Sequence, residues 1–250
     1  DERFQNALDW LSEDLKHFIS PPSTENADLI LEIHSSDEKG VPGKTHRALF
    51  QTKMCKAYGF FKRLCVYDEH HQILLNNSRQ ATLWGRDPHH TYEIAWTFLI
   101  SMICEKIEKK QHWLRIHALG LSHPQGRVVY LAPSGGGKSF LAAQAMQNQG
   151  RILSDEILWT DGKRFYPFPL RIALKNDSCE KLKLTSERKF SRKFFESKNL
   201  FSFESHRISP AMETQIVFLG SQGRNFSLKP ADIIDRLQFY WLASLGLGLP

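Results

Sequence analysis

A short span of the chain gathers the residue types that handle phosphate. Gly135, Gly136 and Gly137 run directly into Lys138 and Ser139, and one helix length later stand the paired acids Asp155 and Glu156. The spacing follows G-x-x-x-x-G-K-[ST], in which glycine amides cradle phosphates, the lysine reaches the β- and γ-phosphates and the hydroxyl meets magnesium. Ala132 occupies the place of the first glycine. "GRVVYL" precedes the loop and "SFLAAQAMQNQ" follows it, so strand, loop and helix come in the order the motif needs. Glycine can take the backbone angles that turn successive N–H groups toward an anion, and the helix N-terminus adds its dipole. Ser134, Gly135, Gly136, Gly137, Lys138, Ser139 and Phe140 are therefore the expected nucleotide-binding segment. A methyl group at Ala132 strains the loop only if that position needs a positive φ.

The acids bear on the reaction. "RILSDEI" begins only a helix length after Ser139, so the next strand would carry Asp155 and Glu156 back toward the phosphates. Adjacent carboxylates at such a place can divide two tasks, one holding magnesium and the other accepting a proton from an attacking hydroxyl. A solvated acidic turn without chemistry is the plain alternative.

Several elements must position these groups. "QNALDWLSEDLKHFI", residues 5–19, has Ala7, Leu8, Leu11, Leu15, Phe18 and Ile19 at helical spacing. From Asp28 to about Trp84, short apolar runs broken by Gly, Pro, Asn and Asp predict a small antiparallel sheet. Asp87 and Pro88 then open a predicted helix that closes on lysines. "WLRIHALGLS" and "GRVVYLA" read as paired strands, and "KPADIIDRLQFYWLASLGLGLP" as a final amphipathic helix. The expected class is α/β, with a nucleotide-binding core and mixed sheet in residues 111–250 and a β-rich N-terminal half, residues 1–110, packed beside it.

Residues 116–162, "IHALGLSHPQGRVVYLAPSGGGKSFLAAQAMQNQGRILSDEILWTDG", resemble the catalytic core of the HPr kinase/phosphorylase family and its smaller kinase relatives, over about a fifth of the chain. The resemblance is collinear: a histidine-bearing strand, a hairpin, the phosphate loop, and paired acids on the next strand. It implies the P-loop fold shared with phosphoenolpyruvate carboxykinase, ATP and Mg2+ as cofactors, and phosphorylation of a hydroxyl, commonly serine, on a protein, peptide or small molecule. By the same resemblance Asp155 is the catalytic base, Ser139 and Glu156 hold the metal, and Lys138 binds phosphate. His117 matches the family's histidine, with hydrogen bonding to Asp155 or to phosphate as its task. "FYPFPLRIALK", residues 165–175, resembles a Pro-rich stretch of several relatives and offers Arg171 as a catalytic charge neutraliser, with Lys175 nearby. Glu156 stands where many members carry aspartate. Larger members form oligomers, so a homo-oligomer is compatible. A phosphorylase, a nucleotide hydrolase and a non-catalytic nucleotide- or phosphopeptide-binding module remain open as alternatives.

Composition narrows the setting. With 41% hydrophobic and 24% charged residues the chain reads as soluble and globular. Its most apolar helix, "AWTFLISMICEKI", is interrupted by Glu105 and Lys106, which argues against a membrane span. Cys55, Cys65, Cys104 and Cys179 are dispersed without a CxxC pair, and no basic-then-apolar leader is seen, which together suit a cytoplasmic chain. The formal net charge of +6 favours an anionic partner. Much of it lies in "KLKLTSERKFSRKFFESK", residues 181–198, expected as a solvated basic helix or loop, or as a dock for an acidic or phosphorylated substrate. No nucleic-acid-binding motif accompanies the charge, which speaks against a nucleic-acid partner.

Overall fold

The structure, a computed structural model, describes residues 4–18, 29–36, 50–51, 55–58, 63–77, 79–124, 126–132, 135–186, 188–190, 197–202, 204, 208–211 and 215–218. Among these the chain is mixed α/β, with four helices and several sheets. It divides into two units, one built on Asp1–Met102 and the other on Ile103–Phe190 with Ser197–Leu249. The final helix expected from Lys229 onward lies outside the described residues.

The first unit contains helix α1 (Gln5–Leu15), strands β1 (Ile30–Ser35), β2 (Phe50–Gln51), β3 (Lys56–Tyr58), β4 (Arg63–Val66), β5 (Gln72–Asn77) and β6 (Gln80–Gly85), and the start of α2 (Pro88–Gln111). Its sheet runs β1-β6-β5-β4-β3-β2. From β2 to β6 it is the expected antiparallel meander, whereas β1 lies parallel to β6, pairing Ile30 with Gln80 and Ser35 with Gly85. A parallel edge is open to β1 because the chain between β1 and β6 is long enough for a crossover. In α1, Ala7 and Leu11 are buried one turn apart, but Leu8 is 43% and Phe18 36% exposed, so the apolar stripe is narrower than the sequence suggests. Asp14 on α1 is buried, and its Oδ2 accepts a hydrogen bond from the Tyr92 hydroxyl.

Helix α2 begins as expected. Asp87 Oδ1 accepts the His90 amide at 2.7 Å, Pro88 is the first helical residue, and Lys109 and Lys110 close the last turn. A Cβ at Gly85 would come within 2.0 Å of Thr91 Oγ1, so only glycine lets the end of β6 pass beneath the helix start. No helix among the described residues is long and apolar enough to cross a membrane.

The second unit is organised by β7 (Leu114–His123). β8 (Gly126–Leu131) folds back on it as an antiparallel hairpin, and β15 (Gln215–Phe218) adds parallel to β8. Along its other edge β7 takes two partners in succession. β9 (Arg151–Ser154) covers Gly120 to Ser122, and β10 (Ile157–Thr160), joined to β11 (Phe165–Tyr166), covers Leu114 to His117. Gly120 sits where the two partners change over, and a Cβ there would approach Leu153 Cβ to 3.0 Å and Leu158 Cδ1 to 3.1 Å.

Strand alternation gives β7 two working faces. Ile116 and Ala118 pack with Val129, Leu131, Leu153 and Leu158 on one side. Leu119 packs on the other with Ala142 and Ala143 of α3 (Lys138–Gln147) and with Ile172 and Leu174 of β12 (Ile172–Leu174). α4 (Asn176–Leu182) contributes Cys179 and Leu182 to that cluster. β14 (Lys198–Phe201) pairs with β12 and with β13 (Lys189–Phe190) in a separate three-stranded sheet.

Candidate functional site

The site is assembled where β8 gives way to α3. Gly135 and Gly137 hold φ of 80° and 87°, and Gly137 is the residue at the N-cap of α3. A Cβ at either would meet nothing within 4 Å, so backbone conformation is what demands glycine there. No side chain of the described residues caps the helix, so its first amides are left without an intrahelical or capping acceptor. Ala132 is buried and its φ is not positive, so the methyl group is accommodated without backbone strain. Phe140 packs its ring on the α3 hydrophobic cluster, which anchors the first turn of the helix. Ser134 lies outside the described residues.

Lys138 is buried and folds back over the loop, its Nζ donating to the Ala132 carbonyl at 2.7 Å. Asp155 follows the last residue of β9. It is 1% exposed, and neither carboxylate oxygen has a hydrogen-bond partner among the described residues. The Ser139 hydroxyl is near enough to favour the ionised carboxylate, yet it stands outside hydrogen-bonding geometry. The turn is fixed by Ser154, whose Oγ accepts the Ile157 amide at 3.2 Å, and this holds Asp155 and Glu156 between the two strands that share the edge of β7.

β7 places His117 between loop and acids. The β7–β8 ladder ends with Ala118 opposite Leu131, so His117 and Ala132 are the next opposed positions, while on the other edge His117 pairs with Ile157. By alternation His117 shares the face of Leu119, the face that carries α3. Its Nδ1 is buried without a hydrogen-bond partner among the described residues. Of the two partners expected for His117, Asp155 or phosphate, Asp155 is not bonded to it, since neither carboxylate oxygen has a partner among the described residues; the ring is held beside the Glu156 backbone.

Burial dominates the electrostatics. It raises Asp155 from 3.8 to about 7, reinforced by Glu156 and opposed by Ser139, Lys138 and Lys198. Burial also lowers His117 to about 4, with Lys138 and Lys198 pushing the same way and the Glu156 backbone opposing, so the imidazole is neutral at pH 7. Lys138 is lowered by burial, and Asp155 and Glu156 pull it back up. An acid and a base are thus held close to one another with neither at its ordinary pKa.

The remaining candidates separate. Arg171 is buried at the entrance to β12, and Lys175 is exposed at the N-cap of α4. Neither is among the charges that shift Asp155, Lys138 or His117. Lys198, the first residue of β14, is the cation that acts on Asp155 and His117 besides Lys138. Its signal in the sequence was the basic run ending at residue 198, but a run of like charges does not say which member turns inward.

A second polar cluster lies in the first unit. Asp68 Oδ1 accepts the amides of His70 and His71, each at 2.8 Å, and faces His71 Nδ1 at 2.9 Å, while His90 Nδ1 stands 3.4 Å from Asp68 Oδ2. Burial pushes the Asp68 carboxyl up, but His71 and these amides outweigh it and hold it at about 2. The three side chains could offer ligand atoms within 4.8 Å of one another. His71 Nε2, however, accepts the Arg86 and Asp87 amides at 3.4 and 3.3 Å, so both of its nitrogens are engaged. The cluster ties the turn after β4 to the entry of α2.

Comparison of the chain with protein-family models and with curated protein sequences gave no match.

Proposed function

We propose that the second unit is the catalytic part of an ATP-dependent kinase of the HPr kinase/phosphoenolpyruvate carboxykinase type, which transfers the γ-phosphoryl group to a serine-like hydroxyl. One observation carries the reading: Asp155 is 1% exposed with neither oxygen hydrogen-bonded among the described residues, and it feels the charge of Lys138 at the start of a helix that follows a glycine loop. Isolated buried carboxylates are costly and are kept where function uses them.

Each residue then has a task. Amides from Gly135 to Ser139 would bind the phosphates, and Lys138 would add a phosphate oxygen to its bond with the Ala132 carbonyl. The oxygen donors of Ser139 and Glu156, with those of Asp155 that have no partner among the described residues, fit a hard cation such as magnesium. Bound there, magnesium supplies neutralisation of charge on the phosphates. Asp155, at about 7, is suited to accept the proton of the acceptor hydroxyl. As that proton leaves, the hydroxyl oxygen forms its bond to the γ-phosphorus and the bridging oxygen departs with ADP. His117, neutral at pH 7, stands beside the Glu156 backbone without adding charge to the site.

The test joins calorimetry to a transfer assay. Wild type should bind ATP in a magnesium-dependent way, Lys138→Ala should lose that binding, and Asp155→Asn should bind but not transfer label to serine or serine peptides. Absence of binding to ATP, ADP and pyrophosphate in wild type would overturn the reading.

A further inference from the structure

We propose that Ser154 is a positioning residue for the transfer: together with the β-bulge that precedes Asp155, it sets the register that turns this acid to the α3 face of the sheet. The catalytic part of the inference rests on the kinase reading, and the register part does not.

β7 and β9 do not keep a single register. Arg151 and Ile152 lie opposite Ser122 and Leu121, but Ser154 lies opposite Gly120, so Leu153 is an extra residue and shares Gly120 with Ser154. The packing agrees with that count. Ile152 belongs to the α3 cluster with Leu119, and Leu153 to the opposite cluster with Ile116 and Ala118. Had β9 continued in the register of Ile152 with Leu121, Asp155 would fall opposite Ala118, on the face turned away from α3. Beyond the bulge the register is that of Ser154 with Gly120 and Ile157 with His117, which sets Asp155 opposite Leu119 instead. Leu119 packs on Ala142 and Ala143 of α3, the helix that opens with Lys138 and Ser139. One extra residue in β9 thus moves the acid from one face of the sheet to the other.

The bulge is held on several sides. The Leu153 carbonyl accepts the Phe168 amide and the Ile152 carbonyl accepts the Ser209 amide, each at 2.9 Å, so both bond to partners other than β7. Gly120 leaves room for the bulge, because a Cβ there would stand 3.0 Å from Leu153 Cβ. Ser154 acts at the exit. It is 0% exposed, and its Oγ accepts the Ile157 amide at 3.2 Å. That bond spans Asp155 and Glu156, the two residues between β9 and β10. Without it, those two residues can take up the slack of a one-residue slip, and a slip of that size reverses the face of every side chain it reaches.

The experiment compares Ser154→Ala, which removes the acceptor, with Ser154→Thr, which keeps it. Magnesium-ATP affinity is read by calorimetry, transfer to serine peptides at saturating ATP, and amide hydrogen exchange by NMR along β8 and β10. Ser154→Ala should lower kcat about ten- to a hundredfold, as a base displaced by about 1 Å would. The ATP Kd should move by less than about threefold, since the glycine loop is untouched. Amides from Ile157 to Thr160 should exchange at least about tenfold faster than in wild type, while those of β8 keep their rates. Ser154→Thr should return kcat and exchange toward wild type.

Unchanged kcat in Ser154→Ala would overturn the inference. So would a loss of kcat with a matching loss of ATP affinity, or faster exchange in β8 and β10 alike, the patterns of general destabilisation. A threonine variant no better than alanine would overturn it too. If Ser154→Ala does not fold, Ser154→Cys takes its place with the same expected outcomes, because a thiol is a weak acceptor. Failure of the kinase reading is recognised separately: wild type itself would then bind no nucleotide, and the exchange rates would still decide the register.

Discussion

Asp155→Asn tests the origin of the site's unusual acid without presuming any activity. In the folded chain Asp155 is raised from 3.8 to about 7, chiefly by burial. Between those values the folded chain keeps a proton that the unfolded chain has released, so this group's contribution to stability falls as pH rises and levels off above about 7. At ~1.4 kcal/mol for each unit, the upper limit is roughly 4 kcal/mol. Asparagine cannot ionise, so the variant escapes this pH-dependent loss. It does leave a buried amide unpaired, at about 1–3 kcal/mol, but that cost is nearly the same at every pH. The informative quantity is therefore the change with pH in the difference between variant and wild type. Between about pH 4.5 and pH 8.5 it should move in the variant's favour by roughly 3 kcal/mol. In thermal melts that is about 6–12 °C at the size of this chain. A difference that does not vary with pH would refute the burial argument, whichever protein is more stable at one pH.

Other expectations follow from the same geometry. Gly135→Ala and Gly137→Ala, at positive φ, should each cost about 1–2 kcal/mol in denaturant unfolding and weaken ATP binding, whereas Ala132→Gly should leave binding close to wild type. Gly120→Ala pushes a methyl group into Leu153 and Leu158 and should destabilise the chain by about 1–3 kcal/mol; a melt unchanged from wild type would show that the strand junction can give way. Phosphoryl transfer at saturating ATP should fall below about pH 7 as Asp155 takes up its proton and can no longer accept one, by at most about tenfold for each pH unit, while ATP binding holds. Chelation of divalent ions should stop phosphoryl transfer, and restoring magnesium should recover it.

Much of this was legible because glycine, proline and alternation carry local rules. The loop between strand and helix, the paired acids after the helix and the Asp87–Pro88 start of α2 follow from residue type and spacing alone. What escaped depends on partners far apart in the chain. The parallel pairing of β1 with β6 is decided by sheet packing and not by either strand's own pattern. Nothing in "SKNLF" shows that Lys198 is half-buried while Lys189 stays exposed, because that depends on β14 pairing with β12. The failure of His117 to bond Asp155 has the same origin. Register sets the ring beside the Glu156 backbone, and a one-residue slip would have turned it to the opposite face of the sheet.

The hydrogen bond from Lys138 to the Ala132 carbonyl fixes where the ammonium group stands. An ammonium carries three N–H donors, so that one bond aims the charge over the loop without using it up. A single phosphate would meet the lysine and few of the loop amides. A polyphosphate chain reaching along the loop would meet more of them at once. The loop is therefore expected to hold inorganic phosphate weakly and to gain affinity with each added phosphoryl group, a selectivity for length that one carbonyl oxygen helps to set.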